Sequence, residues 1–151
     1  MTFQLPHAAS EGFDGLYGLE LVELSEEIAR GRVLVRDELM QPPGIVHSGV
    51  CVSIAEALAL LGTTSGVSHE GKLATSLCNQ TSFLGPITAG TIDARAVRKH
   101  RGRTTWVWEV EIVDDAGRLS VLTRTTISVR DPDAHSPQPE VPARVAIEGS
   151  S

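Results

Sequence analysis

The spacing of hydrophobic residues predicts strands at the start of the chain. In residues 29–36, Val33 and Val35 alternate with arginines and Leu34, which is typical of a half-buried strand. Residues 15–24 are predicted to form the strand before it. The Ser-Glu-Glu sequence that begins at Ser25 separates the two and has turn character.

The pattern changes in the segment VCVSIAEALALLGTTSG, which begins at Val50 and consists almost entirely of apolar or small residues. Prolines and a glycine at 42–44 precede it, Ser48 is predicted to cap a helix, and Gly62 or Gly66 to end it. A helix that is hydrophobic on every side is a buried helix. One long core helix is therefore expected here.

The rest of the folded chain is predicted to be β-structure. In residues 104–113, Trp106 and Trp108 share one face, and we expect them to pack in the core rather than to stack on a ligand. Asp114 to Gly117 has the composition of a hairpin turn. The predicted strands are residues 73–84, 91–99, 104–113 and 119–129. With a single helix there are too few crossovers for a parallel sheet, so the fold class is α+β: one antiparallel sheet wrapped around a long central helix.

The chain is expected to form one domain over residues 1–130, since 151 residues suit a single core. Residues 131–151 contain four prolines, which preclude a regular helix or strand interior. We predict that these residues form a disordered tail.

The composition narrows the class of protein. The net charge of −6 argues against nucleic-acid binding, which needs a basic excess. No stretch approaches the roughly 18 apolar residues that a membrane span needs, and Met1 to Ser10 show no signal-peptide pattern. We therefore expect a cytoplasmic protein without membrane contact. Cys51 and Cys78 show no metal-binding spacing, and we expect reduced core thiols and no metal site.

Glu56 stands out chemically, because it is the only ionisable residue between Val50 and Leu61. Burying an unpaired carboxylate costs several kcal/mol. Glu56 is therefore either a catalytic acid or a structural residue with a partner, and the residue alone leaves both interpretations open.

The start of the predicted helix could serve a catalytic role with Glu56. Free backbone N–H groups at His47, Ser48 and Gly49 can hold an oxyanion that forms on a carbonyl. Glu56 would lie roughly 10–12 Å further along the axis at ~1.5 Å per residue. The carboxylate would therefore more easily meet a carbonyl held by a second subunit. His47 could equally be an ordinary capping residue.

Several motifs together resemble the hotdog-fold thioesterases. They are Gln41, the Gly-Ile-Val-His-Ser-Gly run at 44–49, Ala-Glu-Ala at 55–57, Asn-Gln-Thr-Ser-Phe at 79–83, Thr-Thr-Trp at 104–106 and Asp-Asp-Ala-Gly-Arg at 114–118. The similarity covers about residues 15–130. It is strongest to the 4-hydroxybenzoyl-CoA and phenylacetate-pathway branch, which carries a glutamate on the central helix.

The resemblance implies a role for each matching residue. Glu56 would be the nucleophile or general base, Gln41 would orient the thioester or water, and His47 would order the helix start. The amides of Ser48 and Gly49 would polarise the carbonyl. Substrate contacts are implied for Leu60, Asn79, Thr81, Ser82 and Thr104. Leu60 replaces a threonine of the hydroxybenzoyl branch, and Gly85 replaces a phosphate-contacting arginine of close relatives.

A basic segment adds to the expectation of a CoA ligand. It consists of Arg95, Arg98, Lys99, Arg101 and Arg103. We predict that Arg101 and Arg103 above all contact the CoA phosphates, with Gly102 letting the side chains fan outward. The alternative is that these charged side chains lie on an edge strand and prevent it from pairing with another chain.

The sequence therefore predicts an acyl-CoA thioesterase, with CoA as part of the substrate and no further cofactor. The resemblance implies an aromatic acyl group, such as that of 4-hydroxybenzoyl-CoA or a phenylacetyl-type CoA. The resemblance also implies a homotetramer, a dimer of dimers, with sites at subunit interfaces. One alternative is a hotdog hydratase or dehydratase, although a second buried carboxylate is missing from the sequence. Another is a non-catalytic acyl-CoA-binding protein, which would have little reason to bury Glu56.

Overall fold

A computed structural model describes residues 12–133 of the chain. The predicted domain of residues 1–130 therefore starts before the described part, and residues 134–151 of the predicted tail lie outside it. The elements, in chain order, are helix α1 (Phe13–Leu16), strands β1 (Glu20–Leu24) and β2 (Ile28–Leu34), a 3-10 turn (Asp37–Leu39), strands β3 (Met40–Gln41) and β4 (Ile45–Val46), helix α2 (Ser48–Val67), a 3-10 turn (Ser68–Glu70), and strands β5 (Leu73–Phe83), β6 (Thr91–Arg101), β7 (Thr105–Val113) and β8 (Leu119–Arg130).

Six strands form one antiparallel sheet in the order β1-β2-β6-β7-β8-β5. Helix α2 packs against five of these strands most closely, and touches β1 as well. The alternation predicted for β7 is confirmed, because Trp106 and Trp108 are buried on the helix side, and Ile127 of β8 is buried there as well. The predicted α+β class, with one antiparallel sheet around one long helix, is confirmed.

Two glycines of α2 allow the tryptophans of β7 to approach the helix. A Cβ atom on Gly62 would lie 2.5 Å from the Trp108 ring, and one on Gly66 would lie 2.6 Å from the Trp106 ring. The helix continues to Val67, so of the two candidates for its end Gly62 is wrong, and Gly66 lies one residue before the end. These glycines serve close packing rather than helix termination.

The expectation that no segment is long and apolar enough for a membrane span is also wrong. Within Ser48–Glu70, a stretch of 18 residues has a mean hydropathy of 1.6, and the helix passes that test by length and composition. Glycine, serine and threonine interrupt the apolar residues but do not lower the mean hydropathy below that of a membrane span. A count of apolar residues therefore missed the segment. In the structure the sheet covers this helix, and 56% of the 18-residue apolar stretch is buried.

The chain before β1 differs from the predicted strand at residues 15–24. Phe13–Leu16 form a helical turn, and the strand begins only at Glu20. Tyr17 is buried and its hydroxyl donates to Asp14 Oδ1 at 2.5 Å, while Gly18 adopts a φ of +78°. The buried tyrosine and this left-handed glycine turn the chain into the sheet only after residue 18.

Candidate active site

A small β-ribbon brings Gln41 back to the start of the core helix. Strands β3 and β4 pair Gln41 with Ile45, and the N–H of Gly44 donates to the carbonyl of Gln41 at 2.7 Å. The φ of +104° at Gly44 suits glycine. The N–H of Val46 donates to the carbonyl of Ile87 at 2.8 Å, which ties the ribbon to the β5–β6 connection.

Gln41 and Ser48 line the same cleft of about 460 Å³. Cys51 of α2 and residues 83–87 of the β5–β6 connection complete much of its wall. Most of these side chains are apolar, so Gln41 and the helix start are among the few polar groups of the cleft wall. This combination is typical of a small-molecule site.

The helix is capped by His47, and the prediction that Ser48 is the cap is wrong. His47 Nδ1 accepts the N–H of Gly49 at 2.9 Å, and its carbonyl accepts the N–H of Val50 at 3.0 Å. The accepting Nδ1 requires the imidazole proton on Nε2. Within residues 12–133 the Ser48 N–H has no acceptor, so the carbonyl-polarising role predicted for both amides can fall only to Ser48 without breaking the cap.

Glu56 is half-buried on α2 and does not line the cleft. It lies eight residues after Ser48, which corresponds to ~12 Å along the helix axis. Among the described residues its carboxylate has no hydrogen bond or ion pair. Burial, the hydrogen bond to Asp14 and the negative charges of Asp14 and Glu56 all raise the pKa of Tyr17. Glu56 is thus close to a phenol that keeps its proton.

The cysteines differ in their surroundings. Cys51 is buried as expected, and burial raises the pKa of its thiol to about 11. At neutral pH the thiol is therefore protonated and a poor nucleophile. Cys78 is exposed on β5, so the expectation of a core thiol is wrong for it.

The residues from 79 to 82 divide between the two faces of β5. Asn79 and Thr81 are half-buried, and the Asn79 amide donates to the carbonyl of Val52 in α2 at 3.3 Å. Ser82 is exposed. Asn79 and Thr81 therefore face the helix, and the structure does not bring them into the cleft of the same subunit.

Leu60, the remaining predicted substrate contact on the helix, packs against the hydrophobic core one turn after Glu56.

Two arginines of the basic segment, Arg98 and Arg101, lie over the core instead of fanning outward. Arg101 Nη1 lies 3.0 Å from both carboxylate oxygens of Glu26, and its guanidinium is 4.9 Å from the centre of the Trp106 ring. Arg98 also covers Trp106 and donates to the carbonyl of Glu26 at 2.6 Å. Arg103 is exposed and has no side-chain partner among the described residues. The role of Arg101 in the monomer is therefore to cover the core.

Arg103, in the turn between β6 and β7, and the cleft lie at opposite ends of the sheet. Thr105, next to Arg103 and Thr104, pairs with Ser128, which pairs with Thr75 of β5. The cleft lies beside Phe83, eight residues further along β5. At ~3.3 Å per residue the separation is ~26 Å. One subunit does not bring these two regions together.

The fold and the cleft at the helix start define a hotdog-fold thioester hydrolase, and comparison with known proteins supports this class. The profile of the thioesterase superfamily matches residues 43–121, over half of the chain. The chain belongs to that superfamily. The predicted family and the prediction of a thioesterase enzyme are confirmed.

Relatives and solved structures agree with this assignment. The Mycobacterium tuberculosis protein Rv1847 is 36% identical over 109 residues, 71% of this chain and 78% of its own. A 1,4-dihydroxy-2-naphthoyl-CoA hydrolase of Listeria monocytogenes is 30% identical over 79% of this chain and 96% of its own. The Haemophilus influenzae thioesterase HI1161 superposes with a TM-score of 0.81 at 28% identity, covering 90% of this chain and 97% of that one.

Proposed function

We propose that this thioesterase hydrolyses aromatic acyl-CoA substrates, with Glu56 as the catalytic carboxylate. The observation that carries the proposal is the cleft that Gln41 and Ser48 line at the start of the helix that holds Glu56. The Ser48 N–H has no acceptor among the described residues. CoA enters as part of the substrate. The aromatic acyl group is supported by the Listeria relative, which is named as a hydrolase of an aromatic CoA thioester.

The residues can divide the chemistry of thioester hydrolysis among themselves. The Ser48 N–H, at the positive end of the helix dipole, would donate to the thioester carbonyl oxygen and hold the oxyanion. Gln41 would orient the thioester or the water. The Glu56 carboxylate would either attack the carbonyl carbon or take a proton from the attacking water. In both cases the C–S bond breaks, and water supplies the atoms that yield the free acid and the CoA thiol.

A second copy of the chain would complete the site through strand β5. This strand is an edge of the sheet, eleven residues long, and carries no charged side chain. Leu77 is 63% exposed and Phe83 53% exposed. A long, uncharged edge invites pairing with another strand. An antiparallel partner β5 would extend the sheet across a two-fold axis.

The two-fold axis would place Glu56 of one subunit level with the helix start of the other. Cys78 is the central residue of β5, and its neighbour Asn79 contacts Val52 of α2. Glu56 lies four residues beyond Val52, ~6 Å along the helix. The partner's Glu56 would lie ~6 Å on the other side of the axis. Ser48 lies four residues before Val52, also ~6 Å along the helix. The partner's Glu56 would therefore lie level with Ser48.

Two such dimers would form the homotetramer that the family resemblance implies. Sedimentation at catalytic concentrations would test this assembly. A fully active monomer would contradict both the tetramer and the shared site.

A substrate panel tests the proposed activity. We expect 4-hydroxybenzoyl-CoA, phenylacetyl-CoA or 1,4-dihydroxy-2-naphthoyl-CoA to give a higher kcat/KM than palmitoyl-CoA, measured by thiol release. A higher kcat/KM for palmitoyl-CoA would overturn the aromatic assignment. Hydration of an enoyl-CoA without thiol release would instead favour the hydratase alternative.

Arg103 yields a second expected result. The same two-fold axis would bring the partner's Arg103 to the end of the sheet where the cleft lies. Arg103→Ala should therefore raise KM several-fold at low salt and less at high salt, because exposed ion pairs are screened. Its kcat should change little, since remote phosphates are bound equally in the substrate and the transition state.

Arg101→Ala is the matched comparison for Arg103→Ala. Arg101 covers Trp106 and pairs with Glu26. Its loss should lower the melting temperature and leave KM close to the wild-type value. If Arg101→Ala raises KM and Arg103→Ala does not, the assignment of the two arginines has to be reversed.

A further inference from the structure

Asn79 makes a directional contact with the turn of the core helix that carries Glu56. Its Nδ2 donates to the carbonyl oxygen of Val52 at 3.3 Å. In an α-helix that carbonyl also accepts the N–H four residues later, which belongs to Glu56. One oxygen thus joins the edge strand β5 to the backbone of the candidate catalytic residue.

The orientation of the Asn79 amide is determined by its neighbours. A carbonyl oxygen only accepts, so the NH₂ group has to face Val52 and Oδ1 has to face the other way. Thr81 Oγ1 donates to Oδ1 at 2.7 Å. Because this uses the single Thr81 proton, Thr123 has to donate to Thr81 across their 2.9 Å contact. The chain of hydrogen bonds runs from Thr123 on β8 through Thr81 and Asn79 to the helix.

The apolar contacts of α2 cannot supply the same directional constraint. The helix is buried by small and aliphatic side chains on most sides, and hydrophobic contact is non-directional. A second polar contact, from Trp108 Nε1 to Thr63 Oγ1 at 2.9 Å, lies seven residues beyond Glu56. The Asn79 contact, at Val52, lies one turn before Glu56. Glu56 therefore lies between two polar attachments of the helix to the sheet.

We propose that Asn79 is a positioning residue that sets the axial position and rotation of Glu56 through the carbonyl of Val52. The hypothesis rests on the proposed function of Glu56. It assigns Asn79 a role inside its own subunit, toward the helix backbone, in place of the substrate contact that the family resemblance implies. Thr81, which holds the Asn79 amide, contributes indirectly.

The test separates turnover from substrate binding. Asn79→Asp keeps the shape and the acceptor for Thr81 but loses the donor to Val52. With the best aromatic acyl-CoA of the panel, kcat should fall ~10- to 100-fold, the scale of a misplacement of ~1 Å, while KM stays within about three-fold. Thr81→Val keeps the volume and should lower kcat less. A KM increase with unchanged kcat would restore the substrate-contact role.

A matched control excludes a general loss of stability. Ser25→Ala removes the hydrogen bonds of Ser25 with Ile28 and Glu27 in the β1–β2 turn, away from the cleft. It should lower the melting temperature without lowering kcat. If Asn79→Asp lowers the melting temperature and leaves kcat within two-fold of wild type, Asn79 is only structural and the proposal is wrong.

Hydrogen exchange measures the positioning without relying on catalysis. Amides of residues 52–60 should exchange faster in Asn79→Asp than in wild type, and in Ser25→Ala they should not. Unchanged exchange in Asn79→Asp would overturn the proposal even if Glu56 is catalytic. Faster exchange in a chain that hydrolyses no acyl-CoA would leave the anchoring intact and refute the proposed function instead.

Discussion

Glu56→Gln should lower kcat at least ~100-fold, the usual scale for a positioned acid–base group. Glutamine keeps the volume of the side chain but cannot attack a carbonyl or accept a proton at neutral pH. Glu56 has no hydrogen bond or ion pair among residues 12–133, so the folded state loses no contact. The free energy of unfolding should therefore be unchanged or slightly higher, since a half-buried charge has gone. Thiol-release kinetics and urea denaturation measure the two effects.

The shorter acid provides the control for this substitution. Glu56→Asp retains the carboxylate about one methylene short of its place, so it should keep a measurable fraction of the wild-type kcat. If Glu56→Gln hydrolyses the best substrate within a few-fold of wild type, Glu56 is structural. A non-catalytic binding protein or a hydratase would then be the better account.

The hydrophobic pattern predicted most of the fold because most elements are determined locally. The alternation around Trp106 and Trp108 and the mostly apolar segment that begins at Val50 each indicate one element and its burial. The helical turn at Phe13–Leu16 could not be predicted this way. It depends on Tyr17 entering the core, which is a long-range packing event rather than a local pattern.

The site was predictable only as far as chain neighbours determine it. The helix start with His47 and Ser48, and the single acid of the helix, are visible in the sequence. The pairing of Arg101 with Glu26 joins residues 75 positions apart, and no local pattern indicates it. The Asn79 contact with Val52 spans 27 positions. The first contact places Arg101 over the core, and the second is the basis of the positioning role that we propose for Asn79.

Inactive variants of two different residues should restore activity when they share a dimer. Ser48→Pro removes the amide that would hold the oxyanion and suits the first helical position. The backbone before it is compatible, because His47 has a φ of −58° and a ψ of 130°. Ser48→Ala keeps the amide and should remain active, which separates the N–H from the side chain. Ser48→Pro and Glu56→Gln should each be nearly inactive alone.

Co-expression of the two variants with different affinity tags gives hybrid dimers that can be purified. If each site takes Ser48 from one subunit and Glu56 from the other, one site of the hybrid carries both substitutions and its second site carries neither. The hybrid should then show about half of the wild-type kcat per dimer, since the two sites of a symmetric dimer are equivalent. If both groups of a site came from one subunit, every site in the hybrid would carry one substitution. The hybrid would then be no more active than either variant alone, and the shared site would have to be abandoned.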